Sequence, residues 1–292
     1  MAEITFEDVS RTFAVRGARG TPDSELTALH DINLRIGSGE LAVIVGPSGS
    51  GKSTLLDLLG GLAAPTTGRI LLDGAPITGP GLNRGVVFQQ YALLPWRTAQ
   101  SNVEFGLEAK KVPTVERRER AREHLDLVGL SGFADRYPHE LSGGMKQRVA
   151  IARSLAFDPD VLLMDEPFAA LDAQTRETMQ DELLRLWQRT GKTIVFITHG
   201  IDEAVHLGQR VAVLTSRPGT VKDVVDIDLG DRAADEDIRS APEFAHYRHH
   251  IWGLLRSEVD RAQQAERAAA QAPRGRSGTA TADENPEVIS IG

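Results

Sequence analysis

The five apolar residues "LAVIV" at 41–45 run directly into "GPSGSGKST" at 46–54, and "LLDLLGGL" at 55–62 continues with helical apolar spacing. An unbroken apolar run of that length suits a strand covered on both faces. Buried strand, glycine-rich turn and helix therefore follow one another with no spacer. That order restricts the chain to an α/β fold in which a parallel strand ends at a helix N-terminus. Gly46, Gly51, Lys52 and Ser53 satisfy the pattern G-x-x-x-x-G-K-[ST]. The glycines let the backbone bend until successive N–H groups point inward at a phosphate, and the helix adds its positive end. In such a turn Lys52 brings a cation to the β- and γ-phosphates, and the Ser53 hydroxyl is a ligand for Mg2+.

The remaining texture agrees with an α/β sheet. "ITFEDVSRTF" (4–13) and "LTALHDINLRI" (26–36), separated by a Gly/Pro/Asp-rich loop at 14–25, predict an antiparallel hairpin. Short strands follow at 68–74 and 84–90. From 91 to 157 the pattern is helical, and "TVERRERAREHLDLVGL" and "MKQRVAIARSLAFD" mix charge with apolar spacing. Buried-strand texture returns at "DVLLMDEP" (160–167) and "TIVFITH" (193–199). Between them Met179, Leu183, Leu186 and Trp187 share one face of a crossover helix that stops at Gly191. Late strands are expected at 211–216 and 220–229, and helical texture resumes at 246–270. From 271 the Ala/Gly/Ser/Thr-rich composition predicts disorder. Strands alternating with helices predict a mostly parallel sheet carrying a helical insertion.

Further residues carry chemistry. "VLLMDEP" puts Asp165 and Glu166 at the carboxyl tip of a buried strand, the edge that faces the ligand crevice in an open parallel sheet. There Asp165 suits holding Mg2+ through water, and Glu166 suits polarising an attacking water, because phosphoryl transfer depends on alignment and charge stabilisation. Taken alone, the pair also fits a solvated strand end. His199 closes "TIVFITH" and Gln89 closes "GVVFQ". Beside a nucleotide, the histidine would meet the γ-phosphate, and the neutral amide would ligate Mg2+ or the water without adding charge. "HELSGGMKQRV" at 139–149 is a second anion-seeking turn, with Ser142, Gly143 and Gly144 offering a hydroxyl and N–H groups at a helix start. It lies in the helical insertion, too far along the chain to wrap the same phosphates. An N-capped helix without a ligand is one reading. The other is that the turn binds the γ-phosphate held by a second copy, so that two chains placed head to tail sandwich two nucleotides.

Composition narrows the class. Apolar residues make up 41% and charged residues 25%, enough for a sizeable core in a soluble protein. No run of 18 apolar residues could span a bilayer, and "MAEITFEDVS" has neither the basic nor the apolar region of a secretory leader. The absence of cysteine excludes disulfides and thiolate metal sites. A net charge of −8 argues against nucleic acid as a partner. These features predict a cytosolic chain that meets a membrane only through another protein.

In this order and spacing, "GPSGSGKST", "VFQQ", "LSGGMKQR", "VLLMDEP", "ALD" (170–172) and "ITH" (197–199) resemble the ATP-binding-cassette (ABC) transporter ATPases over about residues 3–230. The resemblance implies a P-loop NTPase core of α/β class with a mixed sheet, an antiparallel β subdomain and a helical subdomain at about 91–157. A C-terminal helical extension (231–270) and a tail (271–292) would follow. It implies ATP and Mg2+ as cofactors. Gly46, Pro47, Ser48, Gly49 and Ser50, with Gly51, Lys52, Ser53 and Thr54, become the Walker A loop. Ser142, Gly143 and Gly144 become the signature turn that acts in trans, and Asp172 the D-loop aspartate. Asp165 becomes the Walker B aspartate, with Ser53, Gln89 and Asp165 as the Mg2+ ligands. Glu166 as catalytic glutamate, His199 as switch histidine and Gln89 as Q-loop residue complete the implied catalytic set. Phe13 falls where the family stacks an aromatic ring on adenine, usually a tyrosine, and Met145 stands where glutamine is commoner. Neither departure removes a phosphate donor or a charge.

"FQQYALLPWRTAQSNVEFGLE" (88–108) and "HGIDEAVHLGQRVAVLTSRPG" (199–219) are further similar to importer ATPases of the nitrate, sulfonate and taurine group, in which Met145 is frequent. That likeness implies a homodimer, two transmembrane permease subunits, indirect dealings with an external solute-binding protein, and a peripheral place on the cytoplasmic side of the membrane. The apolar "ALLPW" after Gln89 suits docking of a short permease helix. A soluble ABC ATPase of DNA repair would need a long coiled coil between Lys52 and Leu141, and one of translation usually a second cassette. The sequence offers neither. A non-catalytic nucleotide switch is opposed by the presence of Glu166 and His199.

Overall fold

The first half of the chain runs β1 (Ile4–Val15), β2 (Ser24–Ile36), β3 (Leu41–Val45), α1 (Lys52–Gly60), β4 (Thr67–Leu72), β5 (Ala75–Pro76), β6 (Arg84–Val87), α2 (Ala99–Ala109), α3 (Thr114–Leu127) and α4 (Gly143–Ala156). The second half adds β7 (Val161–Asp165), α5 (Ala173–Thr190), β8 (Thr193–Ile197), α6 (Ile201–Leu207), β9 (Arg210–Leu214), β10 (Val221–Asp226) and α7 (Pro242–Gln271). These elements come from a computed structural model that describes residues 2–15, 24–230, 232 and 238–271. β2-β1-β4-β5 form an antiparallel sheet, and β10-β9-β3-β8-β7-β6 form a six-stranded one. Every pair in the larger sheet is parallel except β10 with β9. The fold is therefore α/β with a mixed sheet, as the sequence implies.

Burial explains why the central strands read as unbroken apolar runs. Along β3, Leu41, Val43 and Val45 enter one core, while Ala42 and Ile44 enter another. β7, β8 and β9 divide the same way, for instance Leu162 and Met164 against Val161 and Leu163. Successive side chains point to opposite faces, so a strand with a core on each side needs an apolar residue at every position. One core is closed by α1 and the antiparallel sheet, the other by α2 to α5.

α5 begins at Asp172, whose carboxylate accepts the Thr175 N–H at 3.0 Å, and ends at Gly191 with φ 61°. Met179, Leu183 and Leu186 are buried as expected. Trp187 is only half-buried, because its indole N–H reaches out to the Gly39 carbonyl at 2.9 Å. α7 lays Phe244, Ile251 and Leu255 into the helix-side core, with Tyr247 and Leu254 partly covered. That spacing is a continuous helical stripe, and it seats α7 against α6, β9 and β10.

The element ends differ from the sequence reading. β6 stops at Val87 and β8 at Ile197, so Gln89 and His199 sit in turns two residues beyond their strands. The last ladder pairs are Val87↔Met164 and Asp165↔Ile197, and past them the backbone has no partner to keep it extended. β1 and β2 instead outrun expectation, pairing through Ala14↔Glu25 and Val15↔Ser24 into the loop read at 14–25. Residues 16–23 lie outside the described residues, as do 272–292 of the tail expected to be disordered. α7 starts at Pro242, ahead of the expected 246, with proline in the first turn where its missing N–H costs nothing. Among the described residues, no helix is long and apolar enough to cross a membrane.

Candidate functional site

Four adjacent parallel strands, β9-β3-β8-β7, end on one edge of the sheet, and the segments leaving them converge. The loop after β3 turns through Gly49 (φ 74°) and Gly51 (φ 89°). A Cβ on Gly51 would lie 2.6 Å from Leu29 Cδ2 and 3.0 Å from the Ala28 carbonyl, so this position requires glycine for both conformation and space. The Lys52 side chain is buried, and its Nζ donates to the carbonyls of Gly46 at 2.9 Å and Pro47 at 3.0 Å. Burial pulls its pKa down, while the charges of Glu166 and Asp165 push it back up.

Asp165, at the tip of β7, is hydrogen-bonded to the Ser53 hydroxyl. Its pKa is raised, chiefly by burial and further by Glu166 and Asp57, although the Ser53 bond and Lys52 oppose this. A half-buried carboxylate pushed up by neighbouring acids, with a hydroxyl attached, gains from a hard cation beside it. Glu166 has φ 45°, a left-handed conformation that costs a non-glycine residue about 1 kcal/mol or more. Its N–H donates to the Ile197 carbonyl at 3.0 Å, tying the turn after β7 to β8. This aims the carboxylate at His199, with Glu166 Oε2 and His199 Nδ1 3.1 Å apart. The glutamate is mostly covered and the histidine exposed.

A cavity of about 440 Å³ gathers Ser48 through Thr54, Glu166 and His199 in one wall. Arg217, from the loop after β9, completes that wall together with Ala28. The residues flanking His199 are pinned. The Thr198 hydroxyl accepts the Gly200 N–H at 2.9 Å and donates to Glu203. Glu203 also accepts from Gln180 Nε2 at 2.9 Å, and Gln180 Oε1 accepts from Arg239 Nη2 at 2.8 Å. Burial raises the pKa of Glu203, against the bonds from Thr198 and Gln180. Beyond the Glu166–His199 pair lies a second cavity of about 420 Å³, with Arg176, Arg239 and Arg248 in its wall.

The other sequence-derived residues are not among those lining the 440 Å³ cavity. Ser142 caps α4, accepting the Met145 N–H at 3.3 Å. A Cβ on Gly144 would lie 2.9 Å from Thr175 Cγ2, and one on Gly143 3.3 Å from Leu171 Cδ2. Ser142–Gly144 and Asp172 are therefore neighbours, two capped helix starts side by side. The backbone N–H of Thr175 leads the contacts that hold the Asp172 carboxyl below its usual range. Gln89 is exposed in its turn, and Phe13 is exposed near the end of β1 with the Arg11 guanidinium 4.6 Å from its ring centre. Sequence reasoning missed Arg217 and Glu203. Strand order brings Arg217 to the site, so no local pattern marks it; Glu203, four residues past His199 at the start of α6, was open to inspection.

Comparison with known proteins agrees with this geometry. The family profile described as "ABC transporter" matches residues 29–169. The nitrate import ATP-binding protein NrtD of Synechocystis sp. is 52% identical over 259 residues, covering 87% of this chain and 94% of that protein. The taurine import ATP-binding protein TauB of Pseudomonas entomophila is 54% identical over 241 residues, covering 81% and 93%. Among solved structures, the dimeric post-hydrolysis state of the ATP-binding cassette MJ0796 bound to ADP and Pi is 36% identical. It covers 77% of this chain and 99% of its own, with a TM-score of 0.66. The strand–loop–helix geometry, the converging acidic and imidazole groups and this breadth of likeness lead to one conclusion: the chain belongs to the ABC transporter family, as an ATP-binding subunit that hydrolyses ATP.

Proposed function

We propose that the chain energises an importer of a small solute, binding MgATP between two head-to-tail copies and hydrolysing it there. The observation that carries this reading is the division of the residues. The cavity holds the phosphate loop, Glu166 and His199, while Ser142–Gly144 lie outside it beside Asp172. Each half of a phosphate site is then present in every chain, and a second copy supplies what the first lacks. The dimeric MJ0796 structure bound to ADP and Pi supports the same arrangement.

In this reading the N–H groups of the Gly46–Thr54 loop and the Lys52 ammonium hold the β- and γ-phosphates, with Phe13 under the adenine. Ser53 and Asp165, with Gln89 from its turn, would hold Mg2+, which would supply positive charge to the phosphate oxygens. A carboxylate and a hydroxyl hydrogen-bonded to each other are the hard oxygen donors that such an ion would take. Glu166 orients the attacking water and accepts its proton. His199, held by Glu166 on one side and steadied by Thr198 and Glu203 on the other, meets the γ-phosphate. Ser142, Gly143 and Gly144 of the second copy close over that phosphate, and Asp172 fixes the helix start behind them.

The names of NrtD and TauB support nitrate, taurine or a related sulfonate as the solute class. An import role of that kind calls for a place at the cytoplasmic face of the membrane, with two permease subunits and an external binding protein beyond them. Phe88, Trp96 and Phe105, all exposed in the segment around Gln89, suit the permease contact. Steady-state turnover against subunit concentration tests the shared site. Activity per subunit should rise with concentration until dimers saturate, and strict proportionality at every dilution would rule the arrangement out.

A further inference from the structure

We propose that Arg217 is an additional polyphosphate ligand of the nucleotide site, and that the C-terminal helix α7 positions it through Glu258. The inference rests on the ATP site proposed above and deepens it. Arg217 belongs to the loop that leaves β9, next to β3 in the sheet. A Cβ built on Gly49 would lie 3.1 Å from Arg217 Nη2, so the guanidinium hangs over the tip of the phosphate loop. It is exposed to the 440 Å³ cavity, and no carboxylate among the described residues pairs with it. Lys52, by contrast, is tucked beneath the loop with its ammonium on two carbonyls. A guanidinium with no carboxylate partner among the described residues, standing over the loop that starts α1, offers an incoming anion a charge-assisted contact. Its planar fork matches two phosphate oxygens at once.

The loop that carries Arg217 is fastened on both sides. Toward the phosphate loop, the Gly219 N–H donates to the Ala28 carbonyl at 2.9 Å, and the His30 N–H donates to the Gly219 carbonyl at 2.9 Å. A Cβ on Gly219 would fall 2.0 Å from the Ser50 carbonyl, so the backbones of the two loops lie directly against each other there. Toward α7, the Glu258 carboxylate accepts the Ser216 N–H at 3.0 Å and the Ser216 hydroxyl at 3.1 Å. Glu258 is only 1% exposed, and Lys222 Nζ at 2.8 Å and Arg261 Nη1 at 3.2 Å balance its charge. Glu258 continues the α7 stripe of Phe244, Ile251 and Leu255, so the helix that buries those residues also grips the residue preceding Arg217. Through Glu258 the C-terminal extension thus reaches the loop that carries Arg217.

Calorimetry of MgADP binding to the full chain tests both parts. Arg217→Ala should weaken ADP about tenfold, the scale of one charge-assisted contact. Glu258→Ala should weaken it about threefold, and should add nothing once Arg217 is already alanine, because the positioning residue acts only through the arginine. Additive losses in the double variant would reduce Glu258 to a general fold contact and overturn its role. If Glu258→Ala fails to fold, Glu258→Gln, which keeps an acceptor for Ser216, should give a smaller loss with the same dependence on Arg217. Lys52→Ala, measured in parallel, separates the two levels. Loss of ADP there with unchanged affinity in Arg217→Ala overturns the proposal alone. Wild-type affinity in Lys52→Ala overturns the ATP site and the proposal with it. A loss of dimer without loss of monomer affinity in Arg217→Ala would mean the arginine meets a second copy, and also overturns it.

Discussion

The phosphate loop before α1 and the Ser-Gly-Gly turn before α4 share a design, yet their surroundings differ completely. Both start a helix from a glycine-bearing turn. Around the first, Lys52, Glu166 and His199 share one cavity, and Asp165 stands against Ser53 of its wall. Around the second, Ser142 satisfies its own helix, and the glycines lie against Leu171 and Thr175. A helix N-terminus attracts an anion in either place, but only the first has the charges and the hollow to keep one. The second becomes useful when another surface brings the phosphate to it.

Substitutions at matched positions should break this symmetry. Gly51→Ala combines a φ of 89° with a 2.6 Å clash against Leu29, so it should abolish nucleotide binding. Ser142→Arg should leave the affinity of the isolated subunit within about twofold of wild type, since the residue lies outside the cavity, while hydrolysis disappears. Equal loss of binding in both variants, read by fluorescent-nucleotide titration, would erase the distinction between the two turns.

A middling effect is expected at Glu203. Removing the acceptor of the Thr198 hydroxyl frees the turn that carries His199, so Glu203→Ala should lower kcat about tenfold, the cost of one lost positioning bond, with KM unchanged. Glu203→Gln should restore most of it. A parallel fall in stability and in KM for both variants would reduce Glu203 to a packing residue.

The smallest effect concerns stability rather than rate. Burial and neighbouring acids raise the pKa of Asp165 in the folded chain. A carboxyl with a raised folded pKa favours the fold most while protonated, and that contribution is lost as pH rises through the raised value. At neutral pH the nucleotide-free protein therefore carries an unfavourable charge. Asp165→Asn should raise its melting temperature by about 2 °C even as Mg2+-dependent hydrolysis is lost. A lower melting temperature at neutral pH would contradict the sign of that shift.

Local patterns made much of this legible. β3 with its loop, and the tip of β7, are contiguous in sequence, and their period and turn residues speak without knowledge of neighbours. The ends of β6 and β8 were misread because ladder partners decide where a strand stops, and those partners are distant in the chain. Arg217 was invisible for the same reason: only the order β9-β3-β8-β7 puts it beside Gly49. The purpose of α7 could not be read from composition, since Glu258 looks like any helix surface acid until Ser216 and Lys222 are found against it.

The shared site itself is tested most directly by Glu166→Gln, which keeps the side chain's volume but removes the carboxylate that accepts the water's proton. On size-exclusion chromatography with MgATP this variant should elute as a stable dimer, and without nucleotide as a monomer, with turnover abolished in both cases. A monomer peak unmoved by saturating ATP would contradict the account.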